Sequence, residues 1–228
     1  MTRQTLDTAL QNLKQEVAAL GELVLSNVTQ SVRYLKERDF DGSKRLMKLD
    51  VIINHKRFAI ENEIMVLIAT QQPLAGDLRL LAAMLEIITE LERVGDYAKG
   101  ISKINLLIGE APLIKPLVDI PLMADKAVTM LKLALKAFEE RDVELAREVP
   151  TKDHEVDELY NQVNRELMAL IVADATNTEQ ANYLLWAAHN LERAADRATN
   201  ICERVIFCAT GKMEEMDDHF GMRPAGGD

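Results

Sequence analysis

Two short stretches of the sequence carry carboxylates at a spacing that could hold a cation. They read LERVGDYAKGI from residue 91 and LERAADRATNI from residue 191. In each stretch a glutamate precedes an aspartate by four residues, which gives the pairs Glu92 with Asp96 and Glu192 with Asp196. On a helix such residues share one face, with about 5–6 Å between their Cβ atoms, so their charges repel each other. A bound cation would offset this repulsion.

An acidic counterpart precedes each stretch. Asp50 is followed four residues later by Asn54, and Asp153 is followed at the same spacing by Asp157. Carboxylate oxygens are hard ligands, which suit Mg²⁺, Ca²⁺, Mn²⁺ or iron better than copper or structural zinc. A solvated acidic helix face is the alternative, since charged helix surfaces are common. The sequence therefore predicts either a metal site in each half or two acidic surfaces.

The position of the turns decides whether the two sets of carboxylates meet. Pro73, followed by Gly76, indicates a tight turn between antiparallel helices, and Asp50 and Asp96 both lie 23 residues from Pro73. Equal distances from the turn of a helical hairpin give equal heights along its axis. The same count from Ala175 agrees to within one residue for the corresponding aspartates, a mismatch of about 1.5 Å. Three or four carboxylates are therefore expected at one level in each half.

Six helices are predicted to position these residues, at 5–36, 43–70, 77–108, 122–139, 143–172 and 179–209. Apolar residues recur in them at spacings of three and four, which is typical of amphipathic helices. Either Asp39 or Asp41 is expected to cap the second helix, and Asp77 the third. Gly211 is expected to end the last helix, and Trp186 to lie in the core.

The second half of the chain repeats the first. The tripeptide Glu-Arg-Asp occurs at 37–39 and again at 140–142, an offset of 103 residues that also relates Asp50 to Asp153. The acidic stretches are offset by 100 residues, so the second half is shorter near its turn. The expected fold is all-α. It consists of two tandem three-helix bundles at 1–111 and 122–211, a proline-rich linker at 112–121 and a flexible tail at 212–228.

Composition limits the classes of function. The net charge of −10 argues against non-specific nucleic-acid binding, which needs a basic surface. No run approaches the roughly 18 apolar residues of a membrane span, and no signal peptide is expected. Cys202 and Cys208 lie six residues apart on a predicted helix, so they point to different faces. They are expected to be buried, reduced thiols of a cytoplasmic protein.

Known catalytic motifs are absent from the sequence. It has no glycine loop for phosphate, no GxSxG turn and no paired cysteine metal motif. His189 precedes Glu192 by three residues and could join a metal site. The Glu-x-x-His pair of ferritin-like di-iron bundles is missing, which disfavours an oxygen-activating oxidase.

The two acidic stretches and the run QPLAGDLR at residues 72–79 resemble the PhoU family of phosphate-transport accessory regulators. The resemblance covers nearly the whole chain, as far as Gly211. It implies two PhoU-type three-helix bundles packed side by side, usually in a cytoplasmic homodimer. It also implies divalent or trivalent metal ions, in some members a multinuclear iron cluster. The corresponding ligand positions are Glu92, Asp96, Glu192, Asp196, Asp50, Asp153 and Asp157.

The function implied by the resemblance is not enzymatic. Members of the family associate with the ATPase of the phosphate ABC transporter and with a phosphate-sensing histidine kinase. They repress the phosphate-starvation response when phosphate is plentiful, and these partners hold them at the inner face of the membrane. The alternative is a carboxylate-ligated metal store or metal-dependent enzyme. A helical dimer with no metal and no role in phosphate regulation is a third interpretation.

Three residues depart from the family pattern. Asn54 stands where the second half has Asp157, so the first site is expected to bind metal more weakly. Ala195 replaces the glycine that the first half keeps as Gly95, which disfavours a very close backbone approach. Arg197 could compete for the carboxylates of the second site.

Overall fold

The computed structural model describes residues 3–216, and within that range every regular element is a helix. The expected all-α fold is confirmed. None of the helices in this range has the apolar length needed to cross a membrane. Residues 217–228 of the expected tail lie outside the described residues. The α-helices are α1 (Arg3–Glu37), α2 (Phe40–Gln71), α3 (Ala75–Ile108), α4 (Asp119–Glu140), α5 (Val143–Glu148), α6 (Asp153–Ala173) and α7 (Thr178–Thr210), and two short 3₁₀ turns lie at Val149–Lys152 and Ala175–Asn177.

One predicted helix is wrong. The sequence pattern indicated a single helix over 143–172, whereas the structure has α5, a 3₁₀ turn and then α6. Pro150 lies in that turn. Proline interrupts an α-helix because it has no N–H to donate and because its ring collides with the carbonyl four residues earlier. The break places Asp153, one of the predicted ligands, at the first residue of α6.

The turns that open the second helix of each half have matching geometry. Arg38 and Arg141 both have positive φ angles, of 61° and 55°. Asp39 and Asp142 then cap α2 and α5, and their side chains accept the backbone N–H three residues further on, at 2.7 and 3.0 Å. The predicted cap at Asp39 is confirmed, and the match supports the internal repeat.

Three other helix ends can be compared with the sequence pattern. The N-cap of α3 is Leu74, without a side-chain hydrogen bond, so the predicted cap at Asp77 is wrong. Helix α4 begins at Asp119, inside the expected linker, and includes Pro121. Proline is tolerated there because the first turn of a helix does not need its N–H. Gly211 ends α7 in the left-handed conformation, as expected.

The helices that carry the acidic stretches, α3 and α7, lie at the centre of the fold. Helix α3 packs against α1, α2 and α7, while α7 packs against α3, α4 and α6. The seam of α7 is rich in buried alanines, whose small side chains permit a short distance between helix axes. Trp186, expected in the core, is 63% exposed because it lies off that seam. The two halves of the chain are thus joined side by side, mainly through α3 and α7.

The contact between α3 and α7 follows the internal repeat. The carboxylate of Glu90 accepts a hydrogen bond from the amide of Asn200 at 3.2 Å. Further along the contact, a Cβ added at Gly100 would lie 3.0 Å from the amide nitrogen of Asn190. The repeat offset of 100 residues relates Glu90 to Asn190 and Gly100 to Asn200, so the two contacts are equivalent. The two helices therefore pack in antiparallel fashion about an approximate twofold axis.

Gly95 and Ala195 show how the two halves pack with different residues. A Cβ at Gly95 would lie 2.9 Å from the Cδ1 of Ile53, a fully buried side chain on α2. In the second half Ala195 has that Cβ, and the residue that corresponds to Ile53 is Val156, which has no Cδ1. The loss of the glycine is thus matched by a smaller residue at the facing position.

Candidate functional site

The first acidic cluster consists of Asp50 on α2 and Glu92 and Asp96 on α3. Desolvation and then the charge of Asp96 raise the pKa of Glu92, with a smaller contribution from Asp50. Desolvation and the charge of Asp50 also raise the pKa of Asp96, although its side chain still reaches solvent. Asp50 therefore lies close enough to act on both α3 carboxylates, in agreement with the equal distances of Asp50 and Asp96 from the turn.

Asp50 is the buried member of this cluster, with 6% of its surface exposed. Its Oδ2 accepts hydrogen bonds from the ammonium of Lys99 at 2.7 Å and from the amide of Asn54 at 3.3 Å. The hydrogen bond to Asp50 is the largest of the effects that raise the pKa of Lys99, and the charges of Asp96 and Glu92 act in the same direction. Lys99 thus interacts with all three carboxylates.

The second acidic cluster consists of Asp153 and Asp157 on α6 and Glu192 and Asp196 on α7. Asp153 is buried and the other three are partly buried. Each of the four interacts with another group of the protein. Helices α6 and α7 pack against each other, and the Nδ1 of His189 lies 3.2 Å from a carboxylate oxygen of Glu192. The two halves of this cluster therefore lie on neighbouring helices, as the repeat predicts.

The metal-binding role of the two clusters stays a prediction. In residues 3–216, no group of three or more His, Cys, Asp and Glu side chains is placed so that it could hold a metal ion. All seven predicted ligands are carboxylates, whose oxygens are the donors that hard cations prefer. Partly exposed acidic side chains can also change rotamer to converge on an ion.

Arg197 forms an ion pair across the two halves of the molecule. Its Nη1 lies 3.2 Å from the Oε2 of Glu90 on α3, while Arg93 donates to the other oxygen of Glu90 at 2.7 Å. The side chains of Glu90 and Arg197 are only 8% and 15% exposed. Among the ion pairs of the described residues, Arg197 is therefore bound to the first half, and not to the second-cluster carboxylates for which competition was expected.

Glu90 and Lys99 are the residues of this region that the sequence pattern does not single out. Glu90 lies among the buried residues Ile87, Ile88 and Leu91. A charged residue inside an apolar helix seam is a signal for a buried ion pair, because an unpaired charge there would be costly. Lys99 has no comparable signal, since lysines are common on helix surfaces.

Removing charge from the first acidic cluster is expected to stabilise the protein in the absence of ligands. The native pKa values of Glu92 and Asp96 are raised, so the native state binds these protons more tightly than the unfolded chain does. The protonated side chains therefore favour the native state. Their contribution to stability is complete below the unfolded pKa of about 4, and it is lost as the pH rises through the native pKa. The variant Glu92→Gln/Asp96→Asn should therefore unfold at a higher urea concentration than the wild type at pH 7. The difference should vanish below about pH 4.

Glu86→Gln is the matched control for this prediction, because Glu86 is exposed on the same helix. It should leave the urea midpoint unchanged at either pH. A lower midpoint for the double variant at pH 7 would contradict the prediction. It would mean that Lys99 stabilises the charged carboxylates by more than their desolvation and mutual repulsion cost.

The arrangement of the chain matches that of known proteins over most of its length. The family model of the PhoU domain matches it twice, at residues 17–104 and 120–205. The phosphate-specific transport system accessory protein PhoU homolog of Clostridium acetobutylicum is 34% identical over 222 residues, which covers 96% of this chain and 100% of that protein. A protein of the same name from Aquifex aeolicus is 33% identical, over 90% of this chain and 92% of its own length.

Solved structures agree with these sequence relatives. The crystal structure of PhoU from Pseudomonas aeruginosa is 29% identical with a TM-score of 0.85, and the match covers 90% of this chain and 99% of that one. The crystal structure of the phosphate transport system regulatory protein PhoU from Streptococcus pneumoniae is 28% identical with a TM-score of 0.86, over 92% and 100% of the two chains. These names describe accessory and regulatory proteins, not enzymes. Because it has two copies of the PhoU domain, the duplicated acidic stretches and the same fold, the chain belongs to the PhoU family.

Proposed function

We propose that the chain is an accessory regulator of a phosphate-transport system. The observation that carries this proposal is the match to two copies of the PhoU domain, at residues 17–104 and 120–205. The relative from Clostridium acetobutylicum, named for this role, aligns over its whole length. No part of that relative lies outside the alignment with this chain.

In this proposal the chain acts as an adaptor. Its partners are the ATPase of the phosphate ABC transporter and a phosphate-sensing histidine kinase, and it represses the phosphate-starvation response when phosphate is plentiful. It works in the cytoplasm as a homodimer, bound to the membrane through these partners. The net charge of −10 and the two acidic clusters support docking to basic surfaces, because complementary charge speeds association and fixes orientation.

We further propose that the second acidic cluster binds a divalent cation. Asp153 and Asp157 on α6, with Glu192 and Asp196 on α7, would supply hard oxygen ligands. The cation would neutralise the cluster and link the two helices, so that metal binding is coupled to partner binding. A metal store or metal-dependent enzyme has less support, because the relatives bear the names of accessory and regulatory proteins.

Deletion of the gene in its host tests the regulatory role. With phosphate in excess, a reporter of the phosphate-starvation response should be inactive in the wild type and active in the deletion strain. A plasmid copy of the wild-type gene should restore repression, and the tagged chain should retain the transporter ATPase and the kinase on an affinity resin. Normal repression in the deletion strain would refute the regulatory proposal.

The same strain separates the role of metal from that of the adaptor. If metal binding at the second cluster is needed, a plasmid copy with Glu192→Gln/Asp196→Asn should fail to restore repression. Glu86→Gln, an exposed change on α3, should restore it fully. Full repression by the second-cluster variant would leave the adaptor role intact and remove the metal from the mechanism.

A further inference from the structure

The buried carboxylate of the first acidic cluster is already paired with a cation of the protein itself. The Oδ2 of Asp50 already accepts hydrogen bonds from the ammonium of Lys99 at 2.7 Å and from the amide of Asn54 at 3.3 Å. Asp50 is buried, so a metal ion bound to this oxygen would have to displace the lysine. A divalent cation and an ammonium on one carboxylate oxygen would repel each other. The cluster as folded therefore does not fit a metal ion.

The two donors to Asp50 stand at positions where the halves of the repeat differ. The second half has a carboxylate in place of the amide donor and a hydroxyl in place of the ammonium. A further cation that acts on Glu92 is replaced by a phenol. The differing pairs, first half before second, are Asn54 and Asp157, Lys99 and Thr199, and Arg57 and Tyr160.

The lysine competes with metal from within the same molecule. Lys99 lies three residues after Asp96 on α3, so its ammonium is tethered beside the cluster. Because it is tethered, the ammonium cannot diffuse away, so a metal ion has to compete with it for Asp50. The same tether is missing from the second half, where the corresponding residue is Thr199.

We propose that Lys99 is the built-in counter-ion of the first acidic cluster and excludes divalent cations from it. The inference deepens the proposed function, since it confines metal binding to the second half. The first half would then present a face whose charge does not depend on metal supply, and only the second half would respond to metal. The two acidic stretches, although similar in sequence, would have different roles.

Equilibrium dialysis of the full chain against Mn²⁺ tests this inference. Lys99→Thr places the second-half residue in the first half, and it should bind one more equivalent of Mn²⁺ per chain than the wild type. Adding Glu92→Gln/Asp96→Asn to Lys99→Thr should remove that extra equivalent, whereas the same pair in the wild type should change nothing. Lys99→Arg keeps the charge and Lys103→Thr alters an exposed lysine on the same helix, so both should bind as the wild type does.

Each result counts for or against the inference. It is overturned if Glu92→Gln/Asp96→Asn lowers Mn²⁺ binding by the wild type, or if a folded Lys99→Thr gains no site. A wild type that binds no Mn²⁺ would refute the proposal for the second cluster, and Lys99→Thr would still decide the role of the lysine. Because this variant leaves a buried carboxylate without its ammonium, Lys99→Gln, which keeps a donor, is measured beside it. Mn²⁺ should raise the Tm of both variants by more than it raises the Tm of the wild type.

Discussion

Replacing Glu90 with alanine is expected to lower the free energy of unfolding by about 3–5 kcal/mol, the cost of removing one partner of a buried ion pair. Glu90 accepts hydrogen bonds from Arg93 on its own helix and from Arg197 and Asn200 on α7. The side chain of Arg197 is only 15% exposed, so without Glu90 its charge is left where water solvates it poorly. Urea unfolding at pH 7, followed by circular dichroism, measures the change.

Two further variants separate the ion pair from the loss of a side chain. Glu86→Ala, exposed one turn earlier on α3, should change the free energy of unfolding by less than about 0.5 kcal/mol. Glu90→Leu/Arg197→Met replaces both charges with apolar side chains, and it should recover much of the loss because no charge remains buried and unpaired. If this double variant is as unstable as Glu90→Ala, the contact between α3 and α7 depends on packing and not on charge.

The helices could be predicted because their signals are local. Apolar spacing gave six segments, and Asp39 and Gly211 ended helices by mechanisms that act within one turn. The fifth segment failed because a single proline, Pro150, outweighs favourable spacing on both sides of it. The cap at Asp77 failed because Leu74 already takes the extended backbone conformation of an N-cap, three residues earlier.

For the acidic clusters, the sequence predicts where the carboxylates lie along the helices but not which side chains they contact. The count from the turn places Asp50 beside the α3 carboxylates, because helix rise fixes height along a hairpin. The partner of each side chain depends on rotamers and on the helix of the other half that packs there. Arg197 follows Asp196 in sequence, yet its guanidinium reaches Glu90 in the other three-helix unit. Spacing along one helix defines its faces, and only the packed structure shows which charges meet.

Asn105 on α3 is the second polar residue whose loss should be severe. It is fully buried, and its amide nitrogen donates to the carbonyls of Tyr34 and Asp39 at 3.0 and 3.2 Å and to the hydroxyl of Ser43 at 2.9 Å. Its Oδ1 accepts a hydrogen bond from Arg38 at 2.8 Å. One side chain therefore ties α3 to the turn between α1 and α2, where the backbone is left-handed at Arg38.

Asn105→Val is expected to lower the free energy of unfolding by about 2–3 kcal/mol, because the buried hydroxyl of Ser43 loses its donor and the Arg38 guanidinium loses one of its acceptors. Valine is the residue at the corresponding position of the second half, Val205, so the change fills the site and removes only the hydrogen bonds. Urea unfolding measures the loss, and amide hydrogen exchange in the first turn of α2 should become faster. Lys103→Ala, exposed on the same helix, should alter neither. If Asn105→Val unfolds like the wild type, the capped turn at Asp39 is stable without hydrogen bonds from α3. The cap alone would then be sufficient, as in the second half, where Asp142 caps the turn and valine stands at the position of Asn105.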